Sequence, residues 1–415
     1  MTRNSEIYAG VDLGSSKIAA VIIEVDDDRR DIIGVSMVPT QGGIRAGQVV
    51  AIDKTIEGIQ TAVEEASRMA DCHISSVRLA VSGPGTMGFN SDGTVAVRGG
   101  RVSGDHVARV LETASAVKLP ADRQLLHTLP QEYVIDGHEG IRTPVGMSGV
   151  RLEARVHAVT CHRPSLSNAM ECCANARLDV NSTVFSGLAS SVAVLSQEER
   201  ELGVVLVDVG GGTTDIAVWF DNALVHTVSF EWGGDELTRQ ISKGLRTPSE
   251  SAEKIKRRYG CAMASMVTDG ETMEVPGVGG REPQVRQRHL LCEILEPLLE
   301  DFFARVAQEI DVAGCREQLA AGVVLTGGTS NLEGIADLGM DVLIGMPVRI
   351  GRPGQASGSE SMLGGLHDVV ADPAYATATG LCLDSFETAG VEKSTKRRDT
   401  PAWWKKLRPT IESWF

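Results

Sequence analysis

Two distant segments of this chain carry one pattern. Ile7–Val25 reads IYAGVDLGSSKIAAVIIEV, and Val204–Phe220 reads VVLVDVGGGTTDIAVWF. Each has an apolar run, an Asp, a Gly-rich polar turn, and a second apolar run rich in β-branched residues. Both runs read as buried strands, so each segment is a hairpin. A dinucleotide-binding loop or a Walker loop would place a helix after its glycines. Here a strand follows, and neither GxGxxG nor GxxxxGK[ST] is present. The fold must therefore hold the same strand–turn–strand unit twice. At 415 residues the chain is also too long for one core, so two to four subdomains are expected.

Paired turns of this kind suit an anion. Gly14, Gly210, Gly211 and Gly212 let backbone N–H groups close in, as in a nest. Ser15, Ser16, Thr213 and Thr214 can add hydroxyl donors. Asp12 and Asp208 stand at matching strand ends. Carboxylates repel phosphate, so their natural role is to hold Mg²⁺, through its waters. A third segment, Ala321–Ser330 (AGVVLTGGTS), is an apolar strand ending in Gly327–Gly328, with a helix expected from Asn331. Paired glycines allow close approach of a flat base or ribose. A fourth, SESAEKIKRRYG at 249–260, reads as a polar helix. Its Glu253 and Lys256 share a face, where they can reach ribose and base.

The formal net charge of -15 argues against a global nucleic-acid role, because phosphate binding needs a cationic face. No apolar run is long enough to cross a bilayer, and the polar start Met1–Glu6 leads straight into a strand. Eight scattered cysteines without paired spacing read as reduced thiols of a cytoplasm. His157, Cys161, His162, Cys172 and Cys173 lie near one another in sequence, but without the tighter spacings of zinc sites. Buried thiols and strand-end histidines account for them.

The chain ends differently. Residues 384–400 are polar and read as a flexible linker carrying KSTKRR. Thr400 and Pro401 suit a helix start. On a helical wheel Trp403, Trp404, Leu407, Ile411, Trp414 and Phe415 fall within roughly one third of the circumference. Lys405 and Lys406 lie opposite, with Arg408 at the border. Indole rings favour the headgroup boundary and the cations meet anionic lipid, so 401–415 reads as an amphipathic helix lying on a membrane. Pro409 is on the polar side, where a kink leaves the apolar arc intact.

VDLGSSK, VDVGGGTTD and VVLTGGTS resemble the first phosphate loop, second phosphate loop and adenosine loop of the actin, sugar kinase and heat-shock chaperone superfamily. With GLASSVAVLSQEERELG (187–203), SAEKIKRRYGCA (251–262), EVPGVGGR (274–281) and the tryptophan-rich tail, the chain is similar over essentially its whole length to the bacterial cell-division FtsA family. The resemblance implies an α/β, two-lobed actin-like fold around an ATP and Mg²⁺ cleft, with Lys17, Gly234 and Thr329 joining the nucleotide contacts. It implies subdomain 1A at 1–83 and 162–203, an inserted 1C at 84–161, 2A at 204–228 and 301–383, and 2B at 229–300. It further implies self-association into filaments and a peripheral place on the cytoplasmic face of the inner membrane at the division site. In this picture the C-terminal peptide of the tubulin-like FtsZ binds 2B through the basic stretch Arg281–Arg288, and other division proteins bind 1C. One departure bears on catalysis. Ser186 stands about where the chaperones carry a catalytic Glu, and serine is a poor base near neutral pH, so hydrolysis should be weak at most. A small-molecule kinase of the superfamily and a pilus-assembly adaptor of the same fold are the alternatives. The first lacks a visible carboxylate motif for an acceptor, and the second lacks such a tail.

Overall fold

The computed structural model describes residues 5–26, 29–355 and 363–383. The linker and the tail at 384–415, including Trp403 through Phe415, lie outside the described residues.

The first repeat forms strands β1 (Glu6–Leu13) and β2 (Lys17–Asp26), which pair antiparallel, and β3 (Arg29–Pro39) continues the meander. Residues 18–23 of β2 are all buried because the sheet is covered on both faces. Ile18 and Ile22 pack with Ile59 and Val63, while Val21 and Ile23 pack with Ala378 and Leu381. A small hairpin, β4 (Ile44–Arg45) and β5 (Gln48–Val49), leads to helix α1 (Ile52–Ala70), which supplies Ile59 and Val63. Strand β6 (Ser76–Val81) then returns parallel to β1.

The insertion follows: β7 (Met87–Ala96), α2 (Gly104–Ser115), β8 (Arg123–Ile135), β9 (His138–Ile141) and β10 (Arg151–His162). It has its own core, with Val110 and Ala114 of α2 against Val95, Leu152 and Val156. Helix α3 (Arg163–Asn175) and strand β11 (Asp179–Phe185) complete the first lobe. Two helices, α4 (Ser186–Val194) and α5 (Gln197–Leu202), cross to the second lobe.

The second repeat gives β12 (Val204–Val209), β13 (Thr214–Phe220) and β14 (Ala223–Phe230), again an antiparallel meander. Helices α6 (Gly234–Leu245) and α7 (Ser249–Tyr259) follow, then the hairpin β15 (Thr272–Val275) and β16 (Gln284–Gln287). Helix α8 (Arg288–Ala313) leads to β17 (Gly322–Thr326), α9 (Ile335–Val342) and β18 (Val348–Ile350). Strand β19 (Leu363–Gly365), α10 (His367–Val370) and α11 (Ala376–Cys382) bring the chain back to the first lobe, where α11 supplies Ala378 and Leu381. The order β18-β17-β12-β13-β14 repeats the order β11-β6-β1-β2-β3, so the repeat seen in sequence is a repeat of whole sheets.

Three details refine the expected organisation. The insertion leaves and rejoins the chain in the first lobe, yet its sheet is continuous with the second lobe's through a bridge between Met87 and Val228. The boundary expected at residue 300 lies within α8, a single helix that buries Leu291, Leu295, Leu299, Phe302, Val306 and Ile310 along one face. Pro297 sits on its exposed side, where a lost hydrogen bond disturbs packing least. Finally, the helix expected from Asn331 begins at Ile335, behind a short 3₁₀ turn at Gly328–Asn331 and Gly334 at φ 74°.

Candidate functional site

The two β-turns face each other across the cleft between the lobes. Gly47 N–H donates to Ser15 Oγ at 3.2 Å. A Cβ built on Gly211 would lie 2.9 Å from Ser16 Cβ and Oγ, and one on Gly212 only 2.6 Å from Ser15 Oγ. The turns thus interlock at a spacing that only glycine permits. Gly210 and Gly211 are further locked by Gly233, whose Cβ would stand 2.5 Å from both their carbonyl oxygens. The free interior of the cleft is about 50 Å³, against roughly 300–1,000 Å³ for a small-molecule pocket. Entry of a nucleotide therefore requires the lobes to part.

Asp12, at the end of β1, is paired with Lys17 Nζ at 3.9 Å. Burial pushes its pKa up to about 6, with Lys17 opposing and Asp208 assisting. Lys17 also donates to the Ala374 carbonyl and lies 5.8 Å from the centroid of the Tyr375 ring. Asp208, in β12, accepts from Thr377 Oγ1 at 2.9 Å and from Ser190 Oγ. Burial raises its pKa, and these two hydroxyls hold it down.

The sequence reading missed Asp215. It faces Asp208 directly across the β12–β13 ladder and accepts from Ser82 Oγ at 2.7 and 2.9 Å. Burial, then the charge of Asp208, pushes its pKa up to about 8. The signal in the sequence was a carboxylate inside the otherwise apolar run TDIAVWF, since like charges placed opposite each other in a ladder are unfavourable without a purpose. Ser186 lines the same cleft, and its buried Oγ has no hydrogen-bond partner among the described residues.

Most of the expected residues converge. Glu253 and Lys256 pair at 2.7 Å on one face of α7. Lys256 Nζ also donates to Gly234 O and to Thr238 Oγ1, each at 2.9 Å. Thr329 Oγ1 donates to Gly210 O at 2.8 Å, so the third loop is tied to the second. Gly327, at φ 83°, needs its glycine twice over: a Cβ there would strike Asp208 Oδ1 at 2.4 Å. Gly14 and Gly328 line the cleft beside them. Thr213 lies near Ser82 Oγ at 3.2 Å. Thr214 does not join this set. It is buried, and its hydroxyl donates to Trp232 O at 3.0 Å, because the strand begins there and points it into the core. His157 likewise has core partners, Asn90 Oδ1 at 2.7 Å and Thr227 Oγ1 at 2.9 Å. In the basic stretch, Arg288 is committed to Glu271 at 2.9 Å and to Glu333, whereas Arg281 is exposed.

This donor set fits a nucleotide and its cation. The glycines form a cradle that any Cβ would fill, and three carboxylates with raised pKa values, Asp208 and Asp215 buried and Asp12 half-buried, sit where an incoming cation relieves their repulsion. Among the described residues, no group of three or more His, Cys, Asp or Glu is arranged to ligate a metal directly. Also among the described residues, no helix is long and apolar enough to cross a membrane.

Comparisons with known proteins agree with this geometry. The family model described as cell division protein FtsA matches residues 205–380, and the model for the SHS2 domain inserted in FtsA matches 83–160. Cell division protein FtsA of Pseudomonas aeruginosa is 42% identical over 92% of this chain and 89% of its own length. Its counterpart in Escherichia coli K12 is 38% identical over 99% of this chain and 98% of its own. Among solved structures, a chain of the PilM–PilN type IV pilus biogenesis complex superposes with a TM-score of 0.62 at 18% identity, covering 93% of this chain and 98% of that one. MreB5 of Spiroplasma citri bound to ADP superposes at 0.52 and 13% identity, covering 90% and 94%. These last two share the actin-like fold.

Proposed function

Because this chain belongs to the FtsA family of cell division proteins, we propose that it is an ATP-binding actin-like protein that polymerises on the inner membrane and anchors the FtsZ ring there, helping to recruit later division proteins. The observation that carries this reading is the relatedness at 42% identity over 92% of the chain, joined to two glycine turns that face each other across a closed cleft.

In this reading the β- and γ-phosphates lie between the turns. Backbone N–H groups of Gly211–Thr213 and the hydroxyls of Ser15 and Ser16 would donate to them. Lys17, held by the Ala374 carbonyl and near Asp12, would exchange these partners for a phosphate oxygen. Asp12 and Asp208 would hold Mg²⁺ through its waters, and the ion would supply charge neutralisation at the phosphates. Gly234, Glu253, Lys256, Gly327, Gly328 and Thr329 would receive the adenosine. Asp215, held by Ser82, would accept a proton from water only once a bound cation has lowered its pKa. Ser186 in the chaperone Glu position keeps that step slow.

ATP would draw the lobes together in the form that self-associates. Residues 401–415 would hold the polymer on anionic lipid. Subdomain 2B, about 229–300, would receive the FtsZ C-terminal peptide, with Arg281 and Arg286 rather than Arg288 as its cationic contacts. Subdomain 1C would meet other division proteins. The test is pelleting with anionic vesicles, with and without ATP and purified FtsZ. ATP-dependent co-pelleting of both proteins is expected. FtsZ left in the supernatant when this protein pellets would overturn the anchoring role.

A further inference from the structure

A second site lies away from the nucleotide cleft, where the insertion meets both lobes. It is a cavity of about 410 Å³, within the usual range of roughly 300–1,000 Å³ for small-molecule pockets. Its floor is apolar: Leu188 and Val192 of α4, and Trp219 at the end of β13. Trp219 is fixed by its Nε1, which donates to Ser191 Oγ at 2.9 Å.

The polar groups of this cavity are unbalanced. Arg200 of α5 lies with its guanidinium 5.6 Å from the Trp219 ring centroid. Among the described residues its side chain has no hydrogen bond and no ion pair, and its buried Nε is unsatisfied. Burial lowers its pKa, and the neighbouring Glu198, Glu199 and Glu201 only partly offset this. Glu199 is taken by Arg349, at 2.7 Å through both oxygens, and Glu201 by the Gln197 amide. The other charges facing the cavity are matched: Glu132 by Arg155, and Arg142 by Asp221.

A guanidinium carries five donors in a planar fork that suits a carboxylate, and leaving it desolvated without an acceptor is costly. We propose that this cavity is a binding site for a small organic acid, whose carboxylate is received by Arg200 and whose apolar body rests on Trp219. A volume of about 410 Å³ suits a small molecule. A ligand here would touch 1C, α4 and the β13–β14 hairpin together, and so would fasten the insertion to both lobes. The site shares no residue with the nucleotide contacts described above.

The test uses the full chain and 3-phenylpropionate as probe, with the uncharged 3-phenylpropanamide as control. Binding is read by titration calorimetry and by the ¹⁵N shift of the Arg200 Nε–H. Saturable binding of the acid alone is expected, with that resonance moving. Loss of an Arg–carboxylate pair should weaken binding about 10- to 100-fold in Arg200→Gln. Arg200→Lys should keep part of the affinity, and Trp219→Phe offers a second variant that preserves the fold. Equal binding of acid and amide, affinity unchanged in Arg200→Gln, or absence of acid binding would overturn the assignment. So would binding only of a peptide bearing a free C-terminal carboxylate, which would make the cavity a protein-docking groove.

Discussion

Replacing Asp215 with Asn should flatten the pH dependence of stability. The carboxyl is buried against Asp208, and its pKa is pushed up to about 8, by burial first and Asp208 second. In an unfolded chain the same group titrates near about 3.9. Between those values the folded protein keeps a proton that the unfolded chain has lost. Stability from this group is therefore greatest at low pH and falls as pH rises toward the folded value. With a folded pKa of about 8, the linkage relation gives a loss of about 2 kcal/mol between about pH 6 and about pH 7.5. Asparagine has nearly the same shape, can still accept from Ser82, and does not titrate. Asp12, raised to about 6, remains in both proteins and so largely cancels from the comparison. Denaturant unfolding at the two pH values, without nucleotide, measures the difference. The natural protein should lose about 2 kcal/mol more than Asp215→Asn over that interval. Parallel pH profiles for the two proteins would refute the picture of a protonated carboxyl at the cleft floor.

Three further outcomes are expected. Gly211→Val should abolish ATP binding, because a Cβ already lies 2.9 Å from Ser16 and the larger side chain would fill the phosphate cradle; undiminished affinity by calorimetry would remove the basis of the site. Single-turnover hydrolysis should stay well below roughly 1 per second, and Asp215→Asn should slow it further; a fast natural rate would show that another base acts. Trp404→Glu, or deletion of 401–415, should release the protein from anionic vesicles while ATP binding stays intact. The three cations Lys405, Lys406 and Arg408 add about 1 kcal/mol each near such a surface, so one helix binds weakly and polymerisation raises the affinity by linking many. Equal vesicle pelleting of natural and variant protein in ATP would contradict the membrane role.

What the sequence by itself determined was local. Strand, turn and strand at 7–25 and 204–220, the matched Asp12 and Asp208, the glycines between them, and the Glu253–Lys256 face of α7 all follow from spacing within a few residues. Periodicity and backbone freedom act over that range, so they can be read directly from the letters. Tertiary structure decided which charges are left unmatched. Asp215 acquires its raised pKa from burial first and Asp208 second, and its hold from Ser82, which precedes the whole insertion in the chain. Thr214 is one residue from a cradle position yet serves the core through Trp232. Arg288 in a basic run is neutralised by Glu271 and Glu333, while the side chain of Arg200 in an acidic run finds no ion pair among the described residues. Even the insertion, which leaves and returns through the first lobe, hydrogen-bonds to the second. Burial and Coulomb interaction act through space, and the distances that set them exist only once remote segments have packed together.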